Sequence, residues 1–173
     1  MISKTFIIWI SICLITNIIR TIYEILKYKK LLKPNKILFV IIFANMLLLW
    51  VSWFSMCIED SYRFTIPEAL QYSGLTLVIC GIIIFIISLF TIKSLENYEG
   101  DLVTHGIYSI IRHPMYLSFI FWLIGFAVFT ASSISVIFSI LVIANILFWR
   151  YLEQKELEKK FPAYADYKKR TIF

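Results

Sequence analysis

Two polar clusters interrupt an otherwise apolar chain, and both hold residue types that bind charged small molecules. The first reads Leu102-Val103-Thr104-His105-Gly106-Ile107-Tyr108, then Arg112-His113-Pro114-Met115-Tyr116. The second is Arg150 with Glu153, one helical turn apart and so on one face. A guanidinium can hold a carboxylate or a phosphate through two parallel hydrogen bonds. A tyrosine face can hold a cation in low-dielectric surroundings. A carboxylate such as Glu153 accepts hydrogen bonds from ammonium or hydroxyl groups. His105 reads as a loop histidine rather than a catalyst. With two histidines, no Cys-x-x-Cys, and Cys13, Cys57 and Cys80 scattered through apolar runs, no protein-bound metal is expected. The three cysteines read as small buried hydrophobes.

The elements that must position these clusters follow from composition. Of 173 residues, 60% are hydrophobic and 16% charged, against about 45–50% and about 25% in soluble domains. Residues 37–58, 74–92 and 115–149 carry no charge at all. A bilayer core takes roughly 20 apolar residues per helical crossing, and lipid leaves no other way to satisfy the backbone. The fold expected is therefore an all-α integral membrane protein of about five transmembrane helices. The first three cover residues 5–26, 37–58 and 72–92. Residues 115–149 are too many for one crossing, and Thr130-Ala131-Ser132-Ser133 near their middle offers a turn. A tight hairpin of two short helices, the fourth and fifth, is expected there, with Pro114 at the first position of its leading helix. A hairpin returns the chain to the membrane face it left, so the two polar clusters can meet. The whole chain, 1–173, reads as one membrane domain, with three helices in 1–93 and the chemistry in 94–173.

Charge sets the expected orientation. Lys27, Lys29, Lys30, Lys33 and Lys36 lie between the first two apolar runs with no acid among them. That pattern marks a cytoplasmic loop and contact with anionic lipid rather than nucleic acid, despite the net charge of +6. The N-terminus then lies outside. The polar stretch 93–113 and the basic tail beyond Arg150 fall on the cytoplasmic side, and the acidic loop 59–70 falls outside. Lys4 and the apolar run after it imitate a signal peptide, but Arg20 and Glu24 continue a helical pattern and no small-residue cleavage site follows. Arg20 and Glu24 can pair at i,i+4, with Arg20 about six residues, roughly 9 Å, from the helix end and so within snorkelling reach. Asn17, Asn45 and Asn145 read as interhelical hydrogen-bond partners. In the tail, Leu157, Phe161 and Tyr164 recur at i, i+4, i+7 as the apolar stripe of an amphipathic cytoplasmic helix, which Pro162 breaks or kinks. Tyr164 and Tyr167 read as packing residues that seat the tail.

Gly106-Ile107-Tyr108 followed by Arg112-His113-Pro114-Met115-Tyr116 resembles the signature of isoprenylcysteine carboxyl methyltransferases and the related phospholipid N-methyltransferases. In that family an Arg-His-Pro-x-Tyr-x-Gly element precedes a helical hairpin, an arginine and a Glu-Glu pair, then a Leu, a Phe-Gly and two spaced tyrosines. Here the second half reads Arg150, Glu153-Gln154, Leu157, Phe161-Pro162, Tyr164 and Tyr167. The resemblance covers residues 102–170. It implies a cytosol-facing pocket for S-adenosylmethionine, with S-adenosylhomocysteine as product, roofed by the tail and open to lipid. It places Leu102, Val103, Tyr108, His113, Pro114, Met115, Tyr116 and Glu153 at the cofactor. Arg150 and Arg112 would face the methyl acceptor, a prenylated cysteine or a phospholipid-like molecule. Ser118, Gln154 and Pro162 depart from the family pattern, where Gly, Glu and Gly are usual.

The activity implied is membrane-embedded methyl transfer to a lipophilic acceptor. Isoprenylcysteine-type carboxyl methylation leads, because a carboxylate is already ionised and needs no general base. Phosphatidylethanolamine N-methylation is the alternative within enzymes. A non-catalytic scaffold or transporter subunit is the alternative outside them, although no internal repeat marks the usual transporter. The Ile- and Lys-rich usage points to the cytoplasmic membrane of a microbe.

Overall fold

A computed structural model describes residues 3–33, 35–92 and 101–173. Part of the expected polar stretch 93–113, and the expected boundary at residues 93 and 94, thus lie outside the described residues. Among the described residues six α-helices follow one another: α1 (Lys4–Tyr28), α2 (Lys36–Glu59), α3 (Glu68–Ile92), α4 (Pro114–Phe129), α5 (Ser133–Lys160) and α6 (Tyr164–Arg170), with a 3₁₀ turn at Gly106–Ser109 before α4. No strand occurs among the described residues; two isolated bridges join Arg63 to Ser132 and Ile111 to Ile172.

Local chemistry sets the helix ends. The Asn35 side chain caps α2 by accepting from the Leu38 amide at 2.7 Å. The ends of α1 and α4 share another device. Lys30 follows α1 with φ 57°, and Ala131 follows α4 with φ 51°. In both cases the next amide reaches back to the helix, Leu31 to the Leu26 carbonyl and Ser132 to the Ala127 carbonyl, each at 3.0 Å. This left-handed cap satisfies carbonyls that the helix leaves open.

Four helices, α1, α2, α3 and α5, are long and apolar enough to cross a bilayer, while α4 has 16 residues. Large apolar side chains such as Ile8, Ile15, Val40, Leu47, Ile83 and Ile140 are exposed along them. Such faces suit lipid, and the chain is an integral membrane protein. The turn falls at 130–132 as the sequence suggests, but the hairpin is not made of two short helices. Its first leg is short and its second, α5, runs 28 residues without a break. The fifth apolar run and the start of the tail are thus one helix. The Leu157, Phe161, Tyr164 stripe does not share a helix either: α5 stops at Lys160, Phe161 caps it, and Tyr164 opens α6. Pro162 is the cause, because the residue before a proline is pushed out of the helical region.

The helices pack as two pairs, α1 with α2 and α3 with α4, and α5 lies against both α1 and α4. Leu49, Trp53 and Met56 of α2, Leu123 of α4, and Val142, Ile146 and Trp149 of α5 fill the shared core. Lipid is as apolar as leucine, so close approach and polar contacts hold such helices together. A Cβ on Gly125 would come within 2.7 Å of the Gly74 carbonyl, and one on Gly74 within 2.6 Å of the Gly125 carbonyl. The backbones of α3 and α4 touch there. Asn45 donates to the Thr16 carbonyl at 3.0 Å, Asn145 to Asn17, and the Trp149 indole to Thr21 at 3.0 Å. The asparagines are interhelical partners, as expected.

The loop between α2 and α3 locks the hairpin's turn. Asp60 is buried and accepts from the Ser132 hydroxyl at 2.7 Å and from the amides of Ile134 at 2.8 Å and Ser135 at 3.2 Å. It thereby caps α5, where a carboxylate also meets the positive end of the helix dipole. Arg63 donates to the carbonyls of Cys57 at 2.8 Å and Ile58 at 2.5 Å, and to that of Thr130 at 2.6 Å. One arginine thus closes the C-terminal ends of α2 and α4.

Two stability outcomes follow. Gly125→Ala should lower the melting temperature in detergent by an amount equivalent to about 1–3 kcal/mol, the usual cost of overpacking. Ala131→Gly should hold or raise it by up to about 1 kcal/mol, since glycine adopts positive φ freely. Thermal unfolding followed by circular dichroism checks both.

Candidate active site

The legs of the hairpin bring the two polar clusters to one level. From the turn, α4 spans 16 residues back to Pro114, about 24 Å at 1.5 Å per residue. Along α5, Arg150 is the eighteenth residue from Ser133, about 27 Å by the same rise. His113, the N-cap of α4, is buried, and its Nδ1 lies 3.8 Å from Oε1 of Glu153 on α5. Its Nε2 lies 3.3 Å from the Tyr164 hydroxyl on α6. The Tyr116 ring, one turn into α4, meets the His113 ring edge-on at 5.9 Å between centroids. Four segments therefore meet at one point: the approach to α4, α4 itself, α5 and α6.

The tail is seated on this junction by its backbone. Tyr167 donates its hydroxyl to the Tyr108 carbonyl at 2.6 Å. The amide of Arg112 bonds the Ile172 carbonyl at 3.0 Å, and the Ile172 amide returns a bond to Ile110 at 2.9 Å. The Arg112 guanidinium donates to the Lys168 carbonyl at 2.9 Å and to Thr171. Arg112, expected to face an acceptor, thus closes the C-terminal end of α6. Arg150 sits beneath the Phe173 ring, 4.5 Å from its centroid, and its Nε is buried with no hydrogen-bond partner among the described residues. Glu158 on the last turn of α5 accepts from Gln154, Lys155 and Lys168, which draw its carboxyl down to about 2. Those contacts tie α5 to α6.

The remaining expected residues take clear places. Leu102 and Val103 are half-buried in the extended segment before the 3₁₀ turn, and Tyr108 is buried within that turn. Pro114 is buried, Met115 and Tyr116 are half-buried, and His105 is exposed. The departures from the family pattern are absorbed locally. Ser118 is buried toward Gly81 of α3, and its hydroxyl closes on the Met115 carbonyl at 2.6 Å. Gln154 serves Glu158, and Pro162 ends α5. Tyr167 does seat the tail, but Tyr164 also reaches the site histidine. Its place among the two spaced tyrosines of the resemblance was the available signal.

Burial, then the charges of Arg150 and Arg112, holds the His113 imidazole down to about 3 from its ordinary 6.5. Burial likewise raises the Tyr164 and Tyr167 hydroxyls to about 12. At neutral pH the site therefore contains a neutral histidine and neutral tyrosines beside carboxylate and guanidinium groups. Between pH 6.5 and 3 the unfolded chain binds the His113 proton while the folded chain does not. Stability from this group is complete above pH 6.5 and is lost as pH falls, by up to about 1.4 kcal/mol per unit. His113→Asn should flatten that acid limb in thermal melts recorded from pH 7 to 5, relative to the unchanged chain.

Residues 70–164 match the family described as phospholipid methyltransferase. The protein-S-isoprenylcysteine O-methyltransferase of Rattus norvegicus is 27% identical over 138 residues, which cover 69% of this chain and 46% of that protein. Protein-S-isoprenylcysteine O-methyltransferase A of Arabidopsis thaliana is 36% identical over 61 residues, 34% of this chain and 28% of that protein. A probable protein-S-isoprenylcysteine O-methyltransferase of Oryza sativa subsp. japonica is 31% identical over 93 residues, 49% and 46% of the two chains. The chain thus spans less than half the length of these relatives. No solved structure matches it. The family match takes in most of α3, the 3₁₀ turn, the hairpin and the start of α6, and the chain belongs to the phospholipid methyltransferase family.

Proposed function

We propose that this protein is a membrane-embedded methyltransferase that uses S-adenosylmethionine to methylate a carboxylate on a lipophilic acceptor. The observation that carries the proposal is the meeting of His113, Glu153 and Tyr164 where the hairpin returns to its starting face. The relatives are named protein-S-isoprenylcysteine O-methyltransferases, and the reaction class proposed here follows that name.

The donor set suits this cofactor. The Glu153 side chain is 45% exposed beside a His113 side chain that is 2% exposed, which offers a solvent-reaching carboxylate to ribose hydroxyls or an ammonium group. Tyr108 and Tyr116 offer aromatic faces to a cation. Leu102, Val103, Pro114 and Met115 offer apolar lining. When bound, S-adenosylmethionine supplies an activated methyl group on a sulfonium, and transfer to a carboxylate turns two opposite charges into neutral products. A site drained of water favours such a reaction. The chain's task is then mostly positioning, for which effective molarities reach about 10⁵ M or more. With the Arg112 guanidinium engaged by the tail carbonyls, Arg150 is the guanidinium left to anchor the acceptor's anion. An ammonium acceptor would have to lose a proton first. His113, held down to about 3, is too weak a base to take it. That favours oxygen over nitrogen as the methylated atom.

Orientation belongs to the same reading. The Tyr28 hydroxyl at the end of α1 accepts from Lys159 near the end of α5 at 3.0 Å. The lysine-rich loop and the basic tail therefore share one end of the bundle, which supports a cytoplasmic site and an external N-terminus.

Membranes containing the protein, given methyl-labelled S-adenosylmethionine and an S-farnesylated cysteine peptide, should yield base-labile ester label. Base-stable label on phosphatidylethanolamine would establish N-methylation instead. Absence of saturable S-adenosylhomocysteine binding by calorimetry would leave only the scaffold reading. Glu153→Ala and His113→Ala should each weaken cofactor binding by about tenfold or more, the equivalent of one charge-assisted hydrogen bond. Arg150→Ala should lower acceptor turnover and leave cofactor binding within about twofold.

A further inference from the structure

Arg150 differs from the other arginines of the chain in what it touches. Arg20 pairs with Glu24 inside the bundle, and neither side chain snorkels outward. Arg63 and Arg112 grip carbonyls, and Arg170 donates to the Asp166 carbonyl at 3.3 Å. Arg150 is half-buried and, among the described residues, makes no hydrogen bond or ion pair. Its guanidinium carbon lies instead 4.5 Å from the centroid of the Phe173 ring. Phe173 is brought there by the tail. The Thr171 hydroxyl donates to the Tyr167 carbonyl at 2.8 Å and accepts from the Arg112 guanidinium at 3.3 Å. The Ile172 amide bonds the Ile110 carbonyl at 2.9 Å, and the Ile172 carbonyl takes the Arg112 amide at 3.0 Å. With residue 172 tied on both sides, the half-buried side chain of Phe173 is set against α5 at Arg150. Arg112 therefore reaches Arg150 through this strap.

The chemistry of this contact differs from that of an ion pair. An aromatic face attracts a cation, and the attraction grows where water is excluded. A ring accepts no strong hydrogen bond, so the five N–H donors of the guanidinium are not used up by it. A carboxylate neighbour would fill that fork, whereas a ring steadies it and leaves it open. An arginine free to rotate loses side-chain entropy when it binds an anion, and one already held loses less. An aliphatic side chain of similar bulk would shield the group from water and exert no such pull on its charge.

Building on the methyltransferase reading and on Arg150 as the acceptor's anchor, we infer that Phe173 is a positioning residue whose ring holds the Arg150 guanidinium ready for the acceptor's anionic group. The tail thereby takes part in acceptor binding, through a residue beyond the stretch 102–170 that carries the family resemblance.

The test uses the full chain in lipid nanodiscs, with labelled S-adenosylmethionine and, in separate arms, an S-farnesylated cysteine peptide and phosphatidylethanolamine. KM is measured in the arm that wild-type protein turns over. Phe173→Leu keeps apolar bulk without the ring and should raise the acceptor KM about fivefold or more, the size of a cation–π contact. Phe173→Trp keeps a ring and should stay within about twofold of wild type. Neither should move S-adenosylhomocysteine affinity, read by calorimetry, by more than about twofold. An unchanged KM in Phe173→Leu would overturn the inference, and so would a lowered one, which would mark a strap that obstructs the site. A parallel loss of cofactor affinity would also overturn it, by showing that Phe173 only seats the tail. Phe173→Trp as impaired as Phe173→Leu would do the same. Wild-type protein that labels neither acceptor and binds no S-adenosylhomocysteine would instead remove the methyltransferase reading beneath it.

Discussion

A single buried carboxylate fixes the turn on which the candidate site depends. Asp60 accepts from the Ser132 hydroxyl and from the first amides of α5, while Arg63 three residues on closes the carbonyl ends of α2 and α4. With the turn pinned, the two legs of the hairpin act as measured rods. The short leg ends at His113 and the long leg carries Arg150 and Glu153 to the same depth. A slip of one residue at the turn would rotate α5 by about 100° and turn Glu153 away from His113. The clamp and the site sit at opposite ends of the hairpin, and the clamp acts on the site through helix length alone.

At the site end the constraint is different. Helix caps, tail carbonyls and tyrosine hydroxyls satisfy one another there: Arg112 with Lys168 and Thr171, Tyr167 with the Tyr108 carbonyl, Tyr164 with His113. The tail is seated by the buried Tyr164 and Tyr167 rings and, around them, by polar contacts to a short irregular segment. Such contacts can open at lower cost than the helix core, where the backbones of α3 and α4 meet at Gly74 and Gly125.

Much of this was legible in the sequence, for stated reasons. Charge-free runs of about 20 residues admit one interpretation in lipid, so α1, α2 and α3 were found within a few residues of their ends. The turn at Thr130-Ala131-Ser132 was found because polar residues break an apolar run. The unequal legs were not, because the charge at Arg150 ends the apolar run without ending the helix. The break that Pro162 imposes was legible, and it falls at Phe161 as expected, so the Leu157, Phe161, Tyr164 stripe is divided between α5 and α6. Arg112 and Arg150 look alike in a sequence; only the fold separates the one that grips tail carbonyls from the one beneath Phe173. The loop of Asp60 and Arg63 was read for orientation, and its clamp was invisible because the partners that lock the turn, around Thr130 to Ser135, lie about 70 residues along the chain.

The central claim is that one bound cofactor touches both arms of the hairpin. Hydrogen exchange in lipid nanodiscs, with and without S-adenosylhomocysteine, measures this directly. The account predicts that ligand protects amides in residues 106–116 and in residues 149–158 together, and leaves the Asp60 turn unchanged. Protection confined to one arm, or slowed exchange only at the turn, would contradict it.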